Sequence, residues 1–338
     1  MSLSSRLLDA WYADAAWLKT LRPLAWCYRH LMIQRAKAYT SGDKAVWQAP
    51  VPVIVIGNIT VGGTGKSPLV SWLAHWLLAR GWQPGIVSRG YGGAGHDHPL
   101  MVTPETPASA CGDEPAMLAA QVKVPLVVDP DRPRGARRLL EEGCDILLAD
   151  DGLQHLALGR DIELVVVDGQ RGFGNGVCLP AGPLREPVSR LQRVDAVIIN
   201  GTPRFTPPRG AYRMILEPQQ WRRLLDDQAC PLVPAPFAQP VHAVAGIGHP
   251  QRFFATLDAL GVEYDAHAYS DHHDFRAQDL AFADPRPIVM TAKDAVKCRG
   301  FAGAECWALD VAASPDAAFV EWLSQRLATL HAERGKAL

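Results

Sequence analysis

Glycines 62, 63 and 65 run directly into Lys66 and Ser67, within the stretch G-N-I-T-V-G-G-T-G-K-S-P at positions 57–68. These residue types at this spacing suit a polyphosphate. Glycines let successive backbone N–H groups curl round phosphate oxygens, and a helix N-terminus adds partial positive charge. Lys66 would reach the β- and γ-phosphates, and the Ser67 hydroxyl would sit on Mg²⁺. Thr60, Val61, Gly62, Gly63, Thr64, Gly65, Lys66 and Ser67 are therefore the expected nucleotide cradle. The strict pattern G-x-x-x-x-G-K-[ST] asks for glycine at position 60, where the chain has Thr60; the tighter G-G-x-G-K-[ST] form is intact.

Carboxylates and arginines follow at similar places. Asp150 and Asp151 end the apolar run I-L-L-A, as a Mg²⁺-binding strand terminus requires. Two adjacent like charges repel unless a cation shares them, so either aspartate is a candidate ligand beside Ser67. Arg89 ends another apolar run and leads into Gly90-Tyr91-Gly92-Gly93, a candidate phosphate or substrate contact. Arg132 opens a basic segment after D-P-D and could touch nucleotide phosphate. Arg185 and Glu186 lie in the proline-bracketed L-P-A-G-P-L-R-E-P, a rigid platform for charges on a substrate or a plain turn. Asp113 and Glu114 precede a helical run and by residue type alone would serve its N-terminus. Asp271-His272-His273-Asp274 has metal-ligand residue types, but consecutive spacing is poor for a tetrahedral site; a loop histidine in proton transfer fits better.

The elements that must position these groups are legible as well. Val53 to Ile56 is β-branched throughout, the pattern of a strand buried on both faces, and Leu69, Leu73, Trp76 and Leu77 follow at helical spacing. Further apolar runs at 85–88, 124–128, 145–149, 162–167 and 194–200 alternate with helical segments. The expected fold is α/β: a P-loop NTPase-like, doubly wound, mostly parallel sheet. A proline-rich connector at 231–240 precedes a restart of the strand–glycine–helix pattern at Val241. The expected organisation is an N-terminal amphipathic segment (1–47), a P-loop core (48–230) and a smaller C-terminal α/β lobe (231–338) closing over the site. In the first segment Leu7, Trp11, Leu18 and Leu21 share a helical face, Pro23 starts a second helix, and basic residues outnumber acids. That composition suits either a membrane interface or packing on the protein's own surface.

Bulk properties exclude several classes. With 338 residues, 48% hydrophobic and 20% charged, and a net charge of −1, the chain has no basic field to hold nucleic acid. Its seven cysteines contain no C-x-x-C, which argues against a disulfide framework or zinc site and for a reducing compartment. No secretory signal opens the chain, no run of 18 uncharged apolar residues crosses a bilayer, and no protein partner is signalled.

Six motifs taken in order, G-N-I-T-V-G-G-T-G-K-S-P, S-R-G-Y-G-G, G-D-E-P, L-A-D-D-G-L-Q-H, L-P-A-G-P-L-R-E-P and T-A-K-D-A-V-K, together with D-H-H-D-F, resemble the tetraacyldisaccharide 4'-kinase (lipid A 4'-kinase) family across almost the whole chain. The resemblance implies phosphoryl transfer from Mg-ATP to the 4'-hydroxyl of a tetraacyl glucosamine disaccharide 1-phosphate, giving lipid IVA. It also implies a peripheral protein on the cytoplasmic face of the inner membrane, which moves the N-terminal segment toward membrane contact. Asp113 with His272 (His273 being the alternative) would act as base and orienter. Lys66, Arg132, Ser67, Asp150, Asp151 and Glu186 would hold ATP and Mg²⁺, and Arg89, Tyr91 and Arg185 would contact substrate. Ala149, Leu153 and Ala292 depart from the family's common residues; the last puts in doubt any role for a carboxylate there. Two rival readings are a P-loop NTPase coupling hydrolysis to assembly, which usually wants a lysine near Val61, and a membrane-surface module holding nucleotide structurally.

Overall fold

The β-branched run forms the central strand of a parallel sheet. In the computed structural model, which describes residues 3–95 and 97–335, Val53–Gly57 lies between Ile146–Asp150 and Ile162–Asp168, parallel to both. Val53, Ile54, Val55 and Ile56 are all at most 1% exposed, so both faces are covered, as parallel sheets require. The chain separates into two compact units.

The first unit comprises residues 1–89, 124–215 and 313–338. Its strands run in the order Tyr212–Arg223, Ala196–Asn200, Ile162–Asp168, Val53–Gly57, Ile146–Asp150, Pro84–Ser88, Leu126–Val128. All six pairings in this series are parallel. The phosphate-loop lysine opens the helix Lys66–Leu78, whose Leu69, Val70, Leu73 and Leu77 are buried. The N-terminal segment folds as a helix Leu3–Tyr12, a 3-10 turn Ala16–Leu21 and a helix Arg22–Thr40, with Pro23 in the first turn of the last. Ala10, Trp11 and Leu18 form a buried cluster with Val61 and Leu179 of the core, and Trp11 Nε1 donates to the Pro180 carbonyl at 2.9 Å. On the next helix Leu24, Trp26 and Leu31 are 58%, 67% and 68% exposed. No helix among the described residues is long and apolar enough to cross a membrane.

The second unit comprises residues 90–123 and 216–312. Val241–Ala245 pairs in parallel with Tyr264–Ala268 on one side and Ile288–Thr291 on the other, and Ile288–Thr291 continues parallel to Cys306–Pro315. Trp221, Phe237, Phe253, Leu257 and Trp307 fill one face; Phe275, Met290 and Cys298 belong to a second cluster. The helices Asp113–Gln121 and Ala292–Cys298 pack on each other.

This division differs from the three consecutive segments expected. Residues 1–47 belong to the first unit, the 90–123 excursion leaves it, and the last residues return to it. Composition marks the proline-rich 231–240 stretch, but the chain changes unit within the strands Tyr212–Arg223 and Cys306–Pro315, where nothing in residue type signals a boundary.

Candidate active site

The phosphate loop owes its shape to two glycines with backbone φ of +101° (Gly62) and +96° (Gly65). At Gly65 a Cβ would fall onto the Asn200 side-chain amide and within 3.1 Å of Met214 Cε, so only glycine fits there. Asn200, at the end of its strand, donates to the Thr64 carbonyl at 2.9 Å, and Asn58 Nδ2 to the Gly62 carbonyl at 3.1 Å. Val61 N–H donates to Pro183 O at 2.8 Å and Arg185 N–H to Ile59 O at 2.7 Å, strapping the L-P-A-G-P-L-R-E-P loop alongside. Thr60 joins the same strap through an isolated bridge to Leu184. Gly63, by contrast, has open space around its α-carbon.

That strap delivers Arg185 to Asp151, with Nη1 at 2.9 and 3.1 Å from the two carboxylate oxygens. Lys66 Nζ approaches Asp151 from the other side at 3.5 Å. Burial alone would raise the Asp151 pKa; Lys66, Arg185 and Arg132 outweigh it and hold the carboxyl far below the usual range. Asp151 also sits at φ +47°, a left-handed conformation uncommon for a residue with a side chain. Asp150, the last residue of its strand, is fully buried, and its carbonyl accepts from Arg132 Nη2 at 2.7 Å. Arg132 is 1% exposed, and burial, against the pull of Asp150 and Asp151, lowers it to about 10. Its buried Nε and Nη1 have no hydrogen-bond acceptor among the described residues, the demand a phosphate oxygen would meet. Glu186 accepts from Gln154 Nε2 at 2.7 Å and pairs with Arg190 Nε at 3.3 Å. Arg89 stands exposed beyond the strand Pro84–Ser88.

Oxygen donors dominate the metal question. Ser67, Asp150, Asp151 and Glu186 are hard ligands suited to Mg²⁺, which takes one or two carboxylates, water and substrate phosphates rather than an all-protein cage. Among the described residues no group of three or more His, Cys, Asp and Glu side chains is arranged to hold a metal by itself, and this includes the D-H-H-D segment.

The second unit carries a separate constellation. Gly112, at φ +93°, lets the backbone turn against Tyr91 and begin the helix whose first residue is Asp113. The Asp113 carboxylate meets His272 Nδ1 at 3.0 Å. His273 turns the other way, to Asp279 at 3.2 Å, so His272 is the histidine that touches Asp113. Burial would raise the Asp113 pKa, but the bond from His272 and the ammonium groups of Lys297 and Lys293 prevail and hold it below its ordinary value. His272 adopts φ +58°, and its ring meets Tyr91 edge-on at 5.5 Å. A cavity of about 750 Å³ opens here, lined by Tyr91, Ser109, Asp113, His272, Lys297 and Phe301 among others. That volume suits a small-molecule group.

Sequence reasoning did not single out Asn200 or Gln154, whose roles are purely tertiary, nor the two lysines. For the lysines a signal existed: Lys293 and Lys297 are four residues apart and share a helix face.

A strand, a glycine loop ending in Lys-Ser, a buried carboxylate-ended strand beside it and an ionised acid in a cavity define a P-loop phosphotransferase. Comparison with known proteins narrows this. The model of the family "Tetraacyldisaccharide-1-P 4'-kinase" matches residues 17–328. The tetraacyldisaccharide 4'-kinase of Pseudomonas aeruginosa is 50% identical, the match covering 97% of this chain and 98% of that protein. The enzyme of Azotobacter vinelandii is 49% identical over 98% of this chain and 99% of its own length. Among solved structures, LpxK from Aquifex aeolicus, crystallised in complex with ATP, superposes with a TM-score of 0.77 at 27% identity, covering 91% of this chain and 99% of that one. The chain belongs to the tetraacyldisaccharide-1-P 4'-kinase family.

Proposed function

We infer that this protein transfers the γ-phosphoryl group of ATP to the 4'-hydroxyl of tetraacyldisaccharide 1-phosphate, forming lipid IVA and ADP in lipid A biosynthesis. The observation that carries the reading beyond nucleotide hydrolysis is the Asp113–His272 pair, an ionised carboxylate in a cavity large enough for a sugar ring. In the reaction the acceptor oxygen bonds to the γ-phosphorus, the bond to the β–γ bridging oxygen breaks, and Asp113 takes the hydroxyl proton. His272 orients that carboxylate. Lys66 and Arg132 bind the phosphates and balance the charge that moves to the leaving oxygen; Arg185 holds Asp151 in place. Ser67 with Asp150 or Asp151, supported by Glu186, would hold Mg²⁺, which neutralises phosphate charge when bound. Arg89, Tyr91 and Arg185 are proposed contacts to the sugar or its phosphate.

The exposed Leu24, Trp26 and Leu31, on a helix that also carries Arg29, Arg35 and Lys37, fit peripheral attachment to an anionic membrane surface, proposed to be the cytoplasmic face of the inner membrane.

The test is transfer of labelled γ-phosphate from ATP to tetraacyldisaccharide 1-phosphate in detergent, wild type beside Asp113→Ala. Labelled lipid that disappears in the variant is the expected result. Lipid formed equally by the variant removes Asp113 as base, and ATP hydrolysis without lipid product by the wild type overturns the kinase reading.

A further inference from the structure

Lys293 touches His272 on the side away from Asp113. Its Nζ lies 3.4 Å from His272 Nε2, 3.4 Å from Asp271 Oδ1 and 3.6 Å from Glu114 Oε1. Burial works against its charge, but Glu114, Asp271, Asp113 and Asp294 more than compensate and raise its pKa, so it is an ammonium. An ammonium has donors only and an ionised carboxylate has acceptors only. The two ends of the His272 ring therefore receive opposite instructions. Nε2 faces a donor and must accept; Nδ1, at 3.0 Å from the ionised Asp113, must donate. Among the described residues Asp271 Oδ1 lies 3.9 Å from Nε2, too far to take a hydrogen bond.

We propose that Lys293 is a positioning residue whose ammonium occupies the Nε2 lone pair of His272, so that the ring holds the Asp113 carboxylate through Nδ1–H and its Nε2 is not available as a base. Lys297 completes the device from below. Its Nζ bonds Asp294 at 2.9 Å and the His273 carbonyl at 3.1 Å and stands 3.7 Å from Asp113 Oδ2. Asp294, fully buried, is fixed in turn by the Gly246 N–H at 2.9 Å and the Thr291 hydroxyl at 2.7 Å. Two cations four residues apart on one helix thus have separate tasks, Lys293 on the ring and Lys297 on the carboxylate. Had Lys293 been absent, Asp113 would still hold Nδ1–H, but Nε2 would face water and its lone pair would be open to a proton.

The consequence for the reaction rests on Asp113 being the base, as proposed above; the tautomer does not. The experiment is ¹⁵N NMR of protein labelled at the histidine ring nitrogens, with the His272 signals assigned by their loss in His272→Gln. Wild type is compared with Lys293→Met and Lys293→Arg, alongside steady-state kinetics. Expected for wild type are a protonated, pyrrole-type Nδ1 and an unprotonated Nε2. Lys293→Met leaves the Nδ1 signal in place, moves the Nε2 signal toward that of a protonated nitrogen and lowers kcat by about 10- to 100-fold, a fraction of what a general base contributes, with KM for ATP unchanged. Lys293→Arg, which keeps a charged donor and the fold, retains the wild-type signals. A wild-type Nε2–H, or wild-type signals persisting in Lys293→Met, overturns the proposal. Shifted signals with full kcat leave the Lys293–Nε2 contact standing and refute its role in positioning the base, while lost lipid transfer in Asp113→Ala tests the base separately.

Discussion

The carboxylate proposed to take the alcohol proton has to be ionised before the alcohol arrives, and the surroundings of Asp113 hold it so: one imidazole N–H and two ammonium groups act on it within a half-buried site. Asp113→Asn keeps the shape and removes the acceptor charge, so kcat is expected to fall by about 10²- to 10⁴-fold with little change in ATP affinity. Steady-state kinetics with nucleotide-binding titration checks this, and a fall in affinity equal to the fall in kcat would contradict it. His155 gives a pH prediction of known sign. Burial first, then Arg132 and Arg89, push its pKa from 6.5 down to about 3. Above roughly pH 6.5 both folded and unfolded chains hold it neutral and it contributes nothing. As pH falls from 6.5 toward 3 the unfolded chain takes a proton that the folded chain refuses, so stability is lost across that window. Replacing it, as His155→Gln, should flatten the loss of Tm between pH 7 and pH 4; an unchanged slope would remove His155 from the acid sensitivity.

At the scale of elements, the nucleotide cradle is a loop held on two sides, by Asn200 beneath Gly65 and by the proline-bracketed strap beside Val61. Gly65→Ala adds a methyl group where Asn200 already stands and forces φ +96° on a residue with a Cβ. Strain of about 1–3 kcal/mol in the loop should weaken ATP binding by about 5- to 150-fold, measurable by calorimetry. The first N-terminal helix belongs to the same assembly, because Trp11 packs in the cluster that contains Val61 and Leu179. Trp11→Ala should therefore destabilise by about 3 kcal/mol and raise the ATP Kd, although no atom of Trp11 is offered as a ligand. Loss of membrane attachment with unchanged Kd would assign this helix to the bilayer instead. The strand and loop signals were plain in the sequence because their chemistry is local: β-branched runs, glycines at positive φ, and acids at strand ends all announce themselves. The contact of Lys293 with His272 was not, because the two meet only through folding. Nor could the N-terminal residues be assigned to protein or membrane, since Trp11 and Trp26 read alike in sequence while one is 5% and the other 67% exposed.

For the whole molecule, the boundaries of the units were the least legible feature, since the chain leaves the first unit at Gly90, returns, leaves again inside a strand and returns once more. Hydrophobic pattern reports burial and says nothing about which excursion joins which. The exposed Leu24, Trp26 and Leu31 lead to a measurement at this scale: sedimentation with vesicles containing anionic lipid. The triple change to serine should abolish co-sedimentation and leave ATP binding in detergent intact, and vesicle binding that survives it would place the contact elsewhere.

The split second unit also has a consequence for how the protein is made. Asp113 and His272 lie 159 residues apart. With ribosomes adding roughly 5–20 residues per second, the helix carrying Asp113 leaves the ribosome roughly 8–30 s before its histidine exists. During that interval Met117 and Leu118, buried in the finished fold, have no completed unit to enter. The proposed catalytic pair is thus assembled only once residue 272 has been made.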